Sequence, residues 1–322
     1  MTYTRILGTG SYVPSNRVYN ETLEKIVDTS DEWIMSRTGI KSRPMSVDEN
    51  TSDLAYNAAL KALEAASMDT ADIDLIIVAT VSPDKVFPGV SQMLQKRLGC
   101  RPIPAFDVNA ACSGFVYALD IADKMIKSGT YTNALIIGAE TLTKYTDYSD
   151  RNTCVLFGDG AGAVVMGESD EEKIKSIVTY ADGDDKGLLK MDGYPLKVNF
   201  ETPPQKRPFL EMEGREVFKF ATSVLPKTIE EMLEKTDQSL EDLDLIVAHQ
   251  ANYRIISKSA KNLKVSMDKM YVNISNHGNT SAASVPMAID EAIRSGQLKK
   301  GHQFATVAFG AGLTWGGALI EL

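Results

Sequence analysis

The chain has 322 residues, 43% of them apolar, enough for a large buried core in one large domain or two of ordinary size. Its net charge of -9 is the wrong sign for a general nucleic-acid binder, whose affinity rests on Lys and Arg neutralising phosphates. No stretch approaches the roughly 18 consecutive apolar residues that a membrane span needs, and no charged leader precedes an apolar run, so a cytoplasmic location is expected.

Along the chain, the run Gly8-Thr9-Gly10 precedes Pro14 and opens no helix, which points to backbone turns and close packing and away from a phosphate loop. Residues 54–66 read as a helix and 75–80 as a buried strand. A strand at 104–108 then leads through Cys112 into a helix over 114–127, whose apolar positions 115, 118, 119, 122, 125 and 126 trace one face. A strand follows at 133–138. Cys154 lies in a β-like run, 153–157, and Gly158 to Gly162 lack the G-K-[ST] ending of a phosphate loop. Beyond an acidic stretch, residues 217–234 read as helix, 245–249 as strand, 284–294 as helix and 304–309 as strand.

The second series repeats the first. Asp72 to Ala79 (DIDLIIVA) matches Asp242 to Ala248 (DLDLIVA), with Asp74 and Asp244 lying 170 positions apart. Ala118-Leu119-Asp120 matches Ala288-Ile289-Asp290 at the same offset. Apolar strands alternating with amphipathic helices imply α/β layers, here two related halves, 1–172 and 173–322, packed about a pseudo-two-fold axis with the site between them.

The three cysteines show no paired short spacing, so neither a disulfide framework nor a zinc cluster is indicated. Cys112 reads either as a small buried hydrophobe or as a nucleophile, since a helix N-terminus favours thiolate over thiol. Cys100, after a helix end at Leu98-Gly99, and Cys154 read as structural. Among three histidines, His249 ends a strand and faces a following helix, the place where α/β folds assemble sites, although a capped structural histidine would also sit there. His277 suits a tight turn and His302 a surface turn. The small polar loop His277 to Ser284 can bring Asn279 close to a ligand, and the glycine-rich segment from Phe309 offers backbone N–H groups to an oxyanion.

The segments DVNAACSGF around Cys112, HQANYRI around His249, HGNTSAASVP around Asn279 and the terminal FGAGLTWG together resemble β-ketoacyl-acyl carrier protein synthase III, a condensing enzyme of thiolase-like fold. The likeness runs from GTGSYVP and TSDEWIMSRTGI through FGDGAGA to the last strand, so it covers essentially the whole chain. The resemblance implies a layered αβαβα arrangement and a Cys-His-Asn set at Cys112, His249 and Asn279. Cys112 would carry the acyl group, and backbone N–H groups of Cys112 and Ala311 would hold the oxyanion. It further implies a CoA site at Trp33, Arg37, Arg151, Gly214 and Asn252, and an acyl pocket closed by Phe87 across a homodimer interface, where a bulky aromatic suits a short primer such as acetyl. No metal or redox cofactor is implied; acyl-CoA is a substrate. Trp33 would serve equally as core. Arg254, Lys258 and Lys261, at i, i+4 and i+7 of one helix, form with Lys219 either a docking patch for an acidic acyl carrier protein or an ordinary solvated face. Ala311 stands where relatives often have glycine, a cost only if that position needs a positive φ. Elongating synthases, degradative thiolases and 3-hydroxy-3-methylglutaryl-CoA synthase fit less well, for want of a second histidine, a second cysteine and an upstream glutamate respectively. A starter-unit acyltransferase or a non-catalytic scaffold on the same fold stays open.

Overall fold

The computed structural model describes residues 2–193 and 208–322. Apolar strands alternate with helices as the periodicity requires. In order they are β1 (Tyr3–Tyr12), α1 (Thr51–Ala66), β2 (Leu75–Ala79), β3 (Ala105–Val108), α2 (Gly114–Lys127), β4 (Asn133–Thr141) and β5 (Asp159–Ser169). There follow β6 (Ile174–Ala181), α3 (Gly214–Lys235), β7 (Leu245–Ala248), α4 (Tyr253–Leu263), α5 (Ser284–Arg294), β8 (Gln303–Gly310) and β9 (Thr314–Glu321). Short helices and two small hairpins fill the connections.

The first sheet runs β1-β5-β4-β2-β3, with β2 parallel to both β3 and β4 and the remaining pairs antiparallel. The second runs β7-β8-β9-β6, with β7 parallel to β8 and the other two pairs antiparallel. The internal repeat carries through to register: Leu75 lies opposite Ala134 as Leu245 lies opposite Phe304, every partner shifted by the same 170 positions. β3 is the addition in the first half, and it stands at the edge of its sheet.

Strand alternation explains the layering. Leu75, Ile77 and Ala79 face inward with Leu245, Val247 and Phe304, and between them lie α2 and α5, both buried. Ile76 and Val78 point the other way, onto α1. Ile246, Ala248 and Ala305 point away from the centre onto α3 and α4. Because strands buried on both faces must be apolar at every position, β2 and β7 read as continuous runs. The result is the expected helix-sheet-helix-sheet-helix stack.

Three readings need correction. Residues 153–157 are not a strand: Arg151–Cys154 is a short helix, begun where the Asp150 carboxylate accepts the Asn152 N–H at 2.9 Å. β4 continues past 138 to Thr141, since β5 pairs with it as far as Asp159. Close packing accounts for Gly8 and Gly10, which lie within β1 against α1, and no turn is involved.

The start of each central helix presses backbone to backbone on the end of the opposite sheet. A Cβ on Gly138 of β4 would stand 2.1 Å from the Ala282 carbonyl oxygen ahead of α5. We expect Gly138→Ala to destabilise the fold by about 1–3 kcal/mol through overpacking, measurable as a lower urea midpoint with an unchanged slope.

Candidate active site

Cys112 sits in the one-turn helix Ala111–Ser113 that feeds directly into α2. Ala111 before it takes a left-handed φ of 46°, which turns the chain sharply out of β3 and presents the thiol at the head of the helix. Gly310, at the end of β8, lies against this turn so closely that a Cβ there would be 2.6 Å from the Cys112 amide nitrogen. Thr314 locks the two segments together, its hydroxyl donating to the Ala110 carbonyl at 2.9 Å and meeting the Ser113 hydroxyl at 2.8 Å.

His249 follows β7 and is 1% exposed. Its backbone N–H continues the β8 ladder by donating to the Val307 carbonyl at 2.8 Å. The ring stands edge-on to Phe309 at 5.2 Å, and Nδ1 meets the Ser284 hydroxyl at 2.5 Å. Asn279 is fixed at both ends of its chemistry. Its backbone N–H donates to the Leu156 carbonyl at 2.8 Å, its carbonyl accepts the Gly158 N–H at 3.1 Å, and its side-chain oxygen accepts the Ser281 N–H at 2.9 Å. With Oδ1 engaged there, the Nδ2 donors are the part of the amide left to face a ligand.

Cys112, His249 and Asn279 line a single cavity of about 80 Å³, together with Gly214, Asn252 and Gly310. A larger groove, about 900 Å³, lies between the start of β1 and the turn after α5, and contains none of these residues.

Burial sets the charge states. His249 is pushed down from 6.5 to about 3, so the imidazole is neutral at physiological pH. The Cys112 thiol moves opposite to the expectation from its helix: burial pushes it up to about 12, with a hydrogen bond from Ser281 working against that rise and the Glu140 charge adding to it. No cation lies among those influences. Cys100 and Cys154 are buried too, and burial raises both thiols.

Residues 106–183 match the family described as 3-oxoacyl-[acyl-carrier-protein (ACP)] synthase III, and residues 233–322 match its C-terminal counterpart. The beta-ketoacyl-[acyl-carrier-protein] synthase III of Xanthomonas campestris pv. campestris is 50% identical over 320 residues, covering 99% of this chain and 98% of that protein. The chain belongs to the synthase III family. It is a condensing acyltransferase with the thiolase-like fold. The crystal structure of 3-oxoacyl-[acyl-carrier-protein] synthase III from Aquifex aeolicus VF5 agrees over 99% of this chain and 100% of that one, with a TM-score of 0.93 and 46% identity. The priming beta-ketosynthase of the R1128 polyketide pathway has the same TM-score, 0.93, at 37% identity.

In this synthase III family member the other expected residues fall into separate groups. Arg151 lays its guanidinium on the Trp33 ring at 3.9 Å, too close for another ring between them. Trp33 packs with Leu156 and Met212, which line the cavity, so this stack stands beside the cavity. Arg37 is exposed, and its carbonyl accepts the Asn252 amide at 3.1 Å; Asn252 also caps α4. Gly214 opens α3 at the cavity wall. Ala311 does not take a left-handed φ, which removes the cost considered for alanine there. Arg254, Lys258 and Lys261 share the exposed face of α4, and Lys219 on α3 pairs with Glu216. Phe87 lies apart from the cavity, 83% exposed beside Val86.

The sequence reading missed Ser281, Ser284 and Glu140. The two serines were visible only as members of a small polar loop, and nothing in their spacing tied them to Cys112 or His249. Glu140 lay beyond the expected end of its strand, where a carboxylate carries no burial signal.

A neutral buried histidine has a thermodynamic signature. Between about pH 6.5 and 3 the unfolded chain binds a proton that folded His249 refuses, so stability falls as the pH drops through that window. His249→Gln cannot take up that proton. In urea titrations it should lose less stability than the unaltered protein between pH 6.5 and 4.

Proposed function

We propose that Cys112, His249 and Asn279 carry out a decarboxylative condensation of a short acyl-CoA, acetyl-CoA foremost, with malonyl-acyl carrier protein. The products are a β-ketoacyl-acyl carrier protein, CoA and CO2, the initiating step of fatty acid biosynthesis. The observation that carries this reading is the convergence of the three side chains on one cavity, His249 held by the Ser284 hydroxyl and Asn279 by the Ser281 N–H, with a lining that apart from Asn252 is otherwise apolar or glycine. Sulfur attacks the acyl carbonyl, the oxyanion takes hydrogen bonds from the Cys112 and Ala311 N–H groups, and CoA leaves as its thiolate. The approach of Gly310 to the Cys112 amide supports the pairing of those two donors.

In the second half-reaction the malonyl thioester loses CO2 and its oxygen gains enolate charge. Asn279 Nδ2 supplies one donor. His249 supplies the other through Nε2, a tautomer supported by Ser284: its oxygen receives the Gln250 N–H at 3.4 Å, so its proton is directed to Nδ1. Each donor of this kind is worth about 2.7–4 kcal/mol of barrier, because the surrounding burial excludes competing water. The carbanion attacks acyl-Cys112 and expels its thiolate.

Trp33 and Arg151, parting from their present stack, take the adenine of CoA with Arg37 alongside, and Gly214 and Asn252 border the pantetheine arm. The halves 1–172 and 173–322 contribute the nucleophile and the two enolate donors respectively. Dimerisation through the β3 edge fits the exposure of Val86 and Phe87 at 86% and 83%, and would carry Phe87 to the partner's acyl pocket. The exposed basic face of α4, with Lys219, receives the acidic carrier.

Intact-protein mass spectrometry after incubation with acetyl-CoA tests the nucleophile and the primer together. We expect an acetyl adduct that Cys112→Ala abolishes and malonyl-acyl carrier protein discharges; an equal adduct from long-chain acyl-CoA would remove the role given to Phe87. Charge reversal by R254E and K258E should raise KM for the carrier-bound substrate about tenfold or more, with KM for acetyl-CoA unchanged. An unaltered carrier KM would leave α4 as an ordinary solvated face.

A further inference from the structure

Arg43 is 1% exposed, on the small hairpin that pairs Arg17–Tyr19 with Ser42–Pro44. A charge removed from water is costly unless it is paired and hydrogen-bonded. Among the described residues it has no ion-pair partner, and the acceptors it reaches are neutral. Nη1 donates to the Val18 carbonyl at 3.2 Å, and Nη2 donates to the Asn20 side-chain oxygen at 2.8 Å and to the Val155 carbonyl at 3.0 Å. Burial pulls the guanidinium down to about 10, so it stays charged near neutrality.

Val155 leads into the strip that holds Asn279. The Leu156 carbonyl accepts the Asn279 N–H at 2.8 Å, and the Gly158 N–H donates to the Asn279 carbonyl at 3.1 Å. The Arg43 stem packs against both sides of that pairing. A Cβ on Gly158 would stand 3.2 Å from the Arg43 Cβ, and one on Gly278, immediately before Asn279, would stand 3.3 Å from it. The same added atoms would stand 2.2 Å from the His277 carbonyl oxygen and 2.7 Å from that of Leu156, so strip and loop meet backbone to backbone. One side chain thus ties the hairpin to the strip with its guanidinium and backs the contact between strip and loop with its methylenes.

The internal repeat separates what the architecture demands from what Asn279 has in addition. The residue 170 positions before Asn279 is Asn109, and it makes the same turn: its side-chain oxygen accepts the Ala111 N–H at 3.4 Å, as that of Asn279 accepts the Ser281 N–H at 2.9 Å. Asn109 is exposed, whereas Asn279 is 8% exposed. The turn therefore belongs to both halves. The pairing with residues 156–158, and Arg43 behind that strip, are found at Asn279.

We propose that Arg43 is a positioning residue for the condensation: by holding Val155 and packing beside Gly158 and Gly278, it keeps the Asn279 amide aimed at the enolate oxygen. Arginine suits the task because its planar fork donates from two nitrogens in fixed directions and so reaches two segments at once, which a lysine ammonium does less rigidly. Arg43 lies outside the cavity lining and acts through Asn279. Its influence falls on one half-reaction. Acyl transfer to Cys112 draws on backbone donors from other segments, while loss of CO2 from the malonyl thioester draws on Asn279.

This inference rests on Asn279 being an enolate donor, and the test separates the two. In the full chain, Arg43→Met, Arg43→Lys, Asn279→Ala and the double variant of Arg43→Met with Asn279→Ala, intact mass follows acetylation of Cys112 by acetyl-CoA. It then follows discharge of that adduct by saturating malonyl-acyl carrier protein. The second step counts acetylated molecules alone, so unfolded protein drops out of it. Arg43→Met should acetylate at close to the unaltered rate and discharge on the order of 10²-fold more slowly, the effect of a catalytic group misplaced by a remote change. Arg43→Lys, which keeps a donor, should recover about tenfold of that loss. In the Asn279→Ala background Arg43→Met should slow discharge no further, because the group it positions is gone. A general loosening of the structure would slow both steps or add to the effect of Asn279→Ala, and either result would overturn the proposal, as would unaltered discharge by Arg43→Met. If Arg43→Met forms no adduct, Arg43→Lys carries the test: discharge about tenfold slower with acetylation unaltered is expected, and unaltered discharge would overturn the proposal. Unaltered discharge by Asn279→Ala would instead overturn the role given to Asn279 itself.

Discussion

Everything in the site depends on two helix starts being driven into the seam between two sheets. α2 and α5 are covered on both sides, and their first turns meet the ends of the opposite strands with no side chain between: Gly310 against Cys112, Gly138 against Ala282. Backbone contact at that distance leaves no slack. It fixes the Cys112 amide, the Asn279 loop and the end of β8 relative to one another, which is the preorganisation an oxyanion site needs.

The same burial sets the electrostatics. A thiol raised, an imidazole lowered and a carboxyl raised, all by removal from water, describe one low-dielectric pocket in which neutral forms are favoured. Neutral donors are what an enolate requires, because their dipoles stabilise a forming charge without first being hydrated. The Cys112 thiol is kept neutral by the same desolvation that holds His249 neutral. The helix-terminus argument for Cys112 overlooked how strongly desolvation opposes the thiolate there.

The layered fold was largely legible. Continuous apolar runs at 75–79 and 245–248 and the 3.6-residue periodicity of 114–127 reflect burial on both faces or on one face, and burial leaves a direct mark on residue type. The duplication was legible because both halves solve the same packing problem with the same register. Residues 153–157 misled because Val155, Leu156 and Phe157 are buried by neighbouring segments, and an apolar stretch of that length looks alike in a strand or a packed turn. Ser281, Ser284 and Glu140 stayed hidden for a different reason: a hydroxyl's partner is a matter of position, and no composition or period encodes it.

By itself the sequence determined the elements, their two-fold repetition and which residue types were available for thioester chemistry, since these follow from local periodicity and from the rarity of Cys and His. Which of those groups meet was decided by the tertiary structure alone. Cys112 and Asn279 lie far apart along the chain and come together only because each half's helix start docks on the other half's sheet. Their protonation was decided there too. A pKa answers to the water excluded around a group, and that exclusion exists only once the two sheets have closed over it.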